Sequence, residues 1–292
     1  MRNLVAAFFL APLFLTAAIS TPAAAWGPPG HKIVCYMAEE LLSKSKQKKL
    51  NALVKTFEHE GMRFDYFSTG CTFADTARRM ADDKVKGWEQ FGEFKKWHFL
   101  NLKRDDFTVD RGDCHPKQGC VLLGIERDTK ALKNGTNKEK AMALMFLGHW
   151  VGDLHQPLHI SYADDWGGNK IDHVAGFYKD IRRKKLHSVW DGGILKKAGG
   201  SPDWRAYAHK LLAEIREDAP APTGGPTDWA QESFDITTAP ETLYCKKKNG
   251  KCNTMGPNRT LTEAYQDAHA TTMDQRLKLA AERLAAILED AL

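Results

Sequence analysis

Apolar positions along the chain recur mostly at three- and four-residue steps, the spacing of a helix that buries one face. Ile33, Val34, Met37 and Leu41 form one such series, and Leu50, Leu53, Val54 and Phe57 form a second. The pattern changes between Lys138 and His155. There Leu144, Met145, Phe146, Leu147, Trp150, Val151 and Leu154 make the segment apolar nearly all round. A helix of that kind belongs at the centre of a bundle. Asn137 is placed to cap it and Pro157 to end it. Near the C-terminus Leu261, Tyr265, Met273, Leu277, Leu284, Ile287 and Leu288 give one apolar stripe, with Thr260 or Thr262 as its starting cap. Strand-like alternation is scarce, and only the stretch from Val174 to Lys179 reads as a hairpin. The Pro/Gly-rich stretch from Ala219 to Pro226 reads as a loop rather than a domain boundary. The chain beyond it is mostly one helix and could not bury a core alone. The expectation is a single all-α domain over residues 26–292, mainly helical, with at most a small β-hairpin.

Residues 1–25 stand apart from this pattern. Arg2 gives a short basic start, Leu4 to Ala18 is almost entirely apolar, and Ala23-Ala24-Ala25 supplies small residues of the A-x-A kind. That is the pattern of a cleaved export signal, too short for a comfortable membrane span. The mature chain would begin at Trp26, be secreted or periplasmic, and keep no stable membrane association. All six cysteines fall after this segment, and an even number in an exported chain favours disulfides. The short spacings suggest Cys114 with Cys120 and Cys245 with Cys252, which leaves Cys35 with Cys71, although six cysteines allow 15 pairings. The 292 residues carry 42 Lys+Arg against 37 Asp+Glu, with 42% hydrophobic residues. This composition is that of an ordinary globular protein and not of a disordered one. A mild positive balance does not make a nucleic-acid-binding protein, but it removes an objection to a polyanionic substrate. The run Lys246-Lys247-Lys248 reads as a solvated hairpin tip, with phosphate steering as the competing reading. Asn134 and Asn258 head glycosylation sequons that matter only in a eukaryotic host.

The candidate chemistry lies among the 11 histidines. His149 and Asp153 are four apart on the central apolar helix and so share a face. His187 and Asp191 repeat the spacing, and His159 comes just after the Pro157 turn. A carboxylate on so apolar a helix is costly to bury without a cation, and no Lys or Arg lies near Asp153 on that helix. A metal ion would answer both the histidines and the aspartate. At a mature N-terminus the free amine of Trp26 can be neutral near pH 7.7–8.0 and bind a metal together with its own carbonyl. The adjoining Gly/Pro turn can bring His31 to the same ion. His98 and Phe99 sit in Trp97-His98-Phe99, and Asp75 and Arg78 in Ala74-Asp75-Thr76-Ala77-Arg78.

Taken in order, these segments resemble the S1/P1 family of zinc-dependent, single-strand-specific nucleases. The resemblance runs by motif from Trp26 to about Asp191, including Gly152-Asp153-Leu154-His155-Gln156-Pro157-Leu158-His159 and Gly167-Gly168-Asn169, and more loosely at Trp229 to Ser233. It implies three zinc ions. Asp75, His98, His149 and Asp153 would hold one. The Trp26 amine and carbonyl, His31 and Asp153 would hold a second, so that Asp153 bridges the pair. His159, His187 and Asp191 would hold the third. The resemblance also implies in-line attack on phosphorus by a hydroxide of the bridged pair, with the third zinc stabilising the departing 3′ oxygen. Single-stranded DNA and RNA would be cut to 5′-phosphate products, and 3′-mononucleotides would be substrates. Arg78 would steady the phosphoryl oxygens, Phe99 would stack a base, and Asn101 would meet its edge where fungal members commonly carry an acid. Asp75, Arg78 and Asp153 are thus the expected catalytic residues. His155 shares the motif without being a ligand; His59, His115, His173, His209 and His269 are surface or structural residues. A monomer is expected.

Two rival readings remain on the residues. A zinc-dependent phospholipase C shares a trinuclear arrangement and an N-terminal Trp, but the Trp26-to-His31 spacing and the final ligand Asp191 differ from it. A non-catalytic zinc carrier would explain the histidines but not Arg78, and the chain has no His-rich tract.

Overall fold

The computed structural model describes residues 26–174, 185–215, 223–255 and 259–292. The segment 1–25 expected to be an export signal, most of the expected hairpin at 174–179, part of the expected loop at 219–226 and the sequon at Asn258 lie outside the described residues. The helices, in chain order, are α1 (Pro28–Leu41), α2 (Lys44–Thr56), α3 (Phe67–Gly70), α4 (Phe73–Asp82), α5 (Val121–Asn134), α6 (Asn137–His155), α7 (Leu186–Ser188), α8 (Ile194–Lys197), α9 (Trp204–Ala213), α10 (Pro226–Thr238) and α11 (Glu263–Ala291). The strands are β1 (Leu100–Leu102), β2 (Ile160–Tyr162), β3 (His173–Val174), β4 (Cys245–Lys248), β5 (Lys251–Thr254) and β6 (Arg259–Thr260). Among the described residues they form three separate pairs and no larger sheet, and the molecule is mainly helical, as its periodicity predicts.

Helix α6 is the axis of the fold. Between Ala141 and His155 every residue but Met142 is buried. α5 packs along one side of it, and α1, α2, α10 and α11 close the others. Its start differs from expectation by one residue. Thr136, not Asn137, is the cap: its hydroxyl accepts from the Glu139 N–H, and the Glu139 carboxylate accepts from the Thr136 N–H at 2.8 Å. The glutamate three residues on favours Thr136, because this reciprocal pair satisfies two helix-end donors at once. Pro28 and Pro29 open α1, where a missing N–H costs nothing. Thr262 caps α11, whose 29 residues span roughly 44 Å and lie along α1 and α6. No helix among the described residues is long and apolar enough to cross a membrane.

Cys35–Cys71, Cys114–Cys120 and Cys245–Cys252 are the disulfides, the pairing that the short spacings suggest. The antiparallel strand pair is β4–β5, turned by Asn249 and Gly250 with φ of 52° and 68°. Both values suit the tight mirror-image turn of a two-residue hairpin. The lysine run therefore lies on a strand of this hairpin, not at its tip. Val174 instead pairs in parallel with Thr260 of β6. β1 and β2 also pair in parallel, with Asn101 beside Ser161. That pairing joins the segment after His98 to the segment after His159.

Candidate metal centre

Three clusters of metal-ligating side chains surround the C-terminal half of α6: His31 with His149 and Asp153, Asp75 with His98 and His149, and His159 with His187 and Asp191. In each, the candidate ligand atoms lie within 4.8 Å of one another. The eight side-chain ligands expected from the sequence are thus all brought together. Several separate parts of the chain supply them. α1 brings His31, α4 brings Asp75, and α6 brings His149 and Asp153. His98 precedes β1, His159 precedes β2, and His187 and Asp191 lie on one wide helical turn over α7 and residues 189–193.

Asp153 holds the clusters together. Its Oδ2 lies 3.0 Å from His98 Nδ1 and 3.2 Å from His149 Nε2, while its Oδ1 lies 3.4 Å from His31 Nε2. The two oxygens of one fully buried carboxylate therefore face two different clusters. Asp75 Oδ1 stands 3.9 Å from both His98 Nδ1 and His149 Nε2. In the third cluster, Asp191 Oδ1 is 3.7 Å from His159 Nε2 and 3.5 Å from His187 Nε2. α1 comes this close to α6 because residue 152 has no side chain: a Cβ on Gly152 would meet His31 Nδ1 at 2.8 Å.

Backbone carbonyls aim several of the rings. The Nδ1–H of His149 donates to the Cys71 carbonyl at 2.7 Å, that of His159 to the His98 carbonyl at 2.6 Å, and that of His187 to the Gly167 carbonyl at 2.6 Å. Each bond leaves Nε2 facing the cluster as a lone-pair donor, the usual arrangement behind a metal-bound imidazole. The His187 bond gives the Gly167-Gly168-Asn169 segment a physical role.

The electrostatics reflect burial and proximity. Burial would raise the Asp153 carboxyl, but His149 and His159 outweigh it and hold it well below the usual carboxylate range. Asp75 shows the same pattern: burial opposes, and His149, His98 and Arg78 hold it low. Burial, and after it the charge of Arg78, pushes His98 down to about 4. Burial and neighbouring His149 also lower His31. Burial opposes but Asp153 raises both His149 and His159. Such divergence within a few ångströms marks functional sites.

A cation fits this donor set. Asp153 Oδ1, both His31 ring nitrogens and His159 Nε2 are buried without a hydrogen-bond partner. A buried polar atom left unsatisfied costs about 1–3 kcal/mol. A bound cation accepts lone pairs from Asp153 Oδ1, His159 Nε2 and one His31 nitrogen, the other nitrogen of that ring being an N–H, and nitrogen and carboxylate donors suit zinc.

The remaining expected residues lie around these clusters. Trp26 is fully buried, and the N–H of Gly27 donates to the Asp191 carbonyl at 2.6 Å, so the start of the described chain is fastened to the third cluster. Arg78 donates from Nη2 to Asp75 Oδ1 at 3.0 Å, while its Nε is buried without a partner. It is a neighbour-paired arginine, but the neighbour belongs to the metal-facing set. Phe99 and Asn101 are half-buried and line a cleft of about 430 Å³ with Lys96, Lys103 and His115. Asn101 Oδ1 accepts from the Ser161 hydroxyl at 3.2 Å. His155 turns away from the clusters, with Nδ1 donating to the Val151 carbonyl and Nε2 accepting from Arg283 at 2.9 Å. His59, His209 and His269 pack or bond elsewhere, against Trp88, with Tyr36, and onto the Glu241 carbonyl.

Sequence reasoning passed over Gln156. Its fully buried amide donates to Asp191 Oδ1 at 2.7 Å and accepts from the Leu158 N–H, so it ties the end of α6 to the third cluster. The available signal was its position, a polar amide between Asp153 and His159 in an otherwise apolar stretch.

The chain matches the family described as S1/P1 Nuclease over residues 26–292. It is 27% identical to Endonuclease 4 of Arabidopsis thaliana, across 99% of this chain and 96% of that protein. It is 30% identical to Endonuclease 2 of the same plant, across 59% of this chain and 57% of that protein. It is 28% identical to Nuclease S1 of Aspergillus oryzae, across 65% of this chain and 63% of that protein.

Proposed function

Because the chain belongs to the S1/P1 nuclease family, we propose that it hydrolyses single-stranded DNA and RNA at the P–O3′ bond, leaves 5′-phosphates, and also takes 3′-mononucleotides. The observation that carries this reading is Asp153, whose two oxygens face two clusters of histidine nitrogens on a helix whose lysines, Lys138 and Lys140, lie in its first turn, far from it. Three zinc ions would be held by Asp75, His98, His149 and Asp153; by the Trp26 amine and carbonyl, His31 and Asp153; and by His159, His187 and Asp191. When bound, zinc polarises phosphoryl oxygens and brings the pKa of water to about 7.

The chain's own residues position the substrate around that chemistry. Asp75 holds one arm of the Arg78 guanidinium, which leaves the partly exposed remainder of the group for a phosphoryl oxygen. Phe99 offers a ring face in the cleft beside His98, and Asn101 offers an amide whose oxygen is already engaged by Ser161. A base stacked there is worth about 1–3 kcal/mol and must be unpaired to reach it, which accounts for single-strand preference. Residues 1–25 act as a removable export signal, and the mature monomer starts at Trp26.

The test uses the mature protein from Trp26, assayed on single-stranded DNA, RNA, a 3′-nucleotide and phosphatidylcholine, with zinc counted per chain. A parallel protein carries one extra residue before Trp26. Strand cleavage to 5′-phosphates, close to three zincs, and loss of activity on extension are the expected results. Lipid cleavage alone would move the reading to a phospholipase, and zinc without hydrolysis would leave a metal-binding protein.

A further inference from the structure

The β4–β5 hairpin concentrates charge that the metal centre does not use. Four of its residues, Lys246, Lys247, Lys248 and Lys251, are lysines, and all four are exposed. Lys248 stands opposite Lys251, and Lys246 opposite Asn253. Since side chains alternate along a strand, Lys246, Lys248 and Lys251 share one face. Lys247 lies on the other with the buried Cys245 and Cys252, its ammonium 5.2 Å from the centre of the Phe107 ring. Like charges directly opposite each other weaken a strand pair. Among the described residues no carboxylate lies within ion-pair distance of any of the four. The acids around the hairpin are already engaged: Asp164 and Asp165 by Arg104, and Asp105 by the Cys252 N–H.

The strip is also tied to the reacting centre. The Cys245–Cys252 bond pins its base. Arg104, two residues beyond β1, donates to the Cys252 carbonyl at 3.2 Å as well as to Asp164 and Asp165. Tyr244, the residue before β4, donates to Asp165 Oδ1, which also accepts from the Gly168 N–H. Gly167 in turn holds His187. Lys96 and Lys103 line the cleft of Phe99 and Asn101, on either side of β1 in the chain. A row of exposed cations without carboxylate partners, on a hairpin pinned at its base, matches a ligand that brings several phosphates.

We propose that the Lys246/Lys248/Lys251 face is a docking strip for the phosphate backbone of a long single strand whose scissile phosphate lies at the metal centre. The inference rests on the nuclease reading. A flexible strand lays successive phosphates on the strip in any base register. A 3′-mononucleotide has one phosphate, engaged at the centre, and none left for the strip. The hairpin therefore favours polynucleotides over mononucleotides without touching the chemistry.

The test replaces the three lysines together, Lys246→Gln, Lys248→Gln and Lys251→Gln, in the zinc-loaded enzyme. For a long single-stranded oligonucleotide, KM rises about tenfold, and the salt dependence of log(kcat/KM) becomes shallower by about 2, at roughly 0.7 per phosphate contact. Kinetics on a 3′-mononucleotide stay unchanged, and the three Lys→Arg replacements behave as the original. Fluorescence anisotropy with a hydrolysis-resistant phosphorothioate strand gives a readout independent of cleavage, with the Gln variant binding more weakly. If the unaltered enzyme cleaves nothing, the nuclease reading fails, and anisotropy alone decides the strip. Equal losses on both substrates, unchanged KM and salt slope, or a difference confined to binding of phosphatidylglycerol vesicles would each overturn the proposal.

Discussion

Helix α6 buries ionisable groups on two sides, and the chain treats the two sides differently. On the side of His155, the protein supplies its own cations. Arg276 and Arg283 of α11 are almost fully buried, donate to the His155 carbonyl and ring nitrogen, and share Glu232 of α10 at 2.7 Å. Burial, and after it these two arginines, keep His155 neutral by pushing its pKa well below the ordinary value. On the side of Asp153, the neighbours are His31, His98, His149 and His159, and several nitrogens and an oxygen lack partners. On the His155 side the one atom of this network left over is Arg283 Nε, a donor, which no cation could satisfy; on the Asp153 side the leftover atoms include lone pairs that call for a cation from outside. In that sense the first side is closed and the second open. Burial of charge alone does not mark a cation site; buried lone pairs left over do.

That contrast can be broken from either side. Asp153→Asn keeps the shape and removes the charge that two clusters share. It should cost zinc and more than about 10³-fold in strand cleavage, beyond the loss of a single transition-state donor. Metal analysis beside an activity assay checks it, and retention of both would end the two-sided account of α6. Glu232→Gln acts on the closed side and leaves two buried arginines without a counter-charge. Breaking a buried pair costs about 3–5 kcal/mol, and since Glu232 is partly exposed the expected loss is about 2–3 kcal/mol in denaturant melts. Zinc content and kcat should hardly move; lost activity at unchanged stability would show that the sides are not separate.

Gln156→Leu keeps the volume and removes the donor to Asp191. Loss of such an outer partner weakens metal binding about 10–100-fold, and chelator titration should show the His159/His187/Asp191 site emptying first. The smallest effect is on pH dependence. His155 has a folded pKa below its unfolded value of about 6.5. As pH falls through 6.5, the unfolded chain takes up a proton that the folded chain refuses, so stability is full above this range and declines below it. One proton gives at most about 1.4 kcal/mol per pH unit. His155→Gln should flatten that part of the curve relative to the original protein, measured by melts between about pH 7.5 and 5.5, a window that brackets the unfolded value.

The sequence makes the open side legible and the closed side nearly invisible. The apolar run around Asp153 names the helix, its burial and its need for a cation, all within 19 residues. The pairing of short-spaced cysteines is local in the same sense. The partners of His155 lie 121 and 128 residues away, and no periodicity predicts which buried carbonyl a distant arginine will reach. A sign was nonetheless present: Arg276 and Arg283 are seven apart, hence on one helical face, within the apolar stripe of the last helix. The β1–β2 pairing that sets Ser161 against Asn101 was hidden for another reason. Each strand has three residues, too few for an alternation to register. At the start of α6 the asparagine competes with its neighbour as a cap, and only the Thr136–Glu139 pair, three residues apart, decides between them.

The Cys35–Cys71 bridge lies against the bare backbone of Gly148, where a Cβ would stand 2.4 and 2.6 Å from its sulfurs. It fastens α1, the bearer of His31, to the turn whose Cys71 carbonyl aims His149. Such bonds persist in oxidising compartments and not among cytosolic thiols. The bridge therefore places the helix of His31 and the carbonyl that aims His149 in one covalent loop. The alignment of these two rings depends on the redox state of the surroundings, and in a reducing interior the tie between them would be missing.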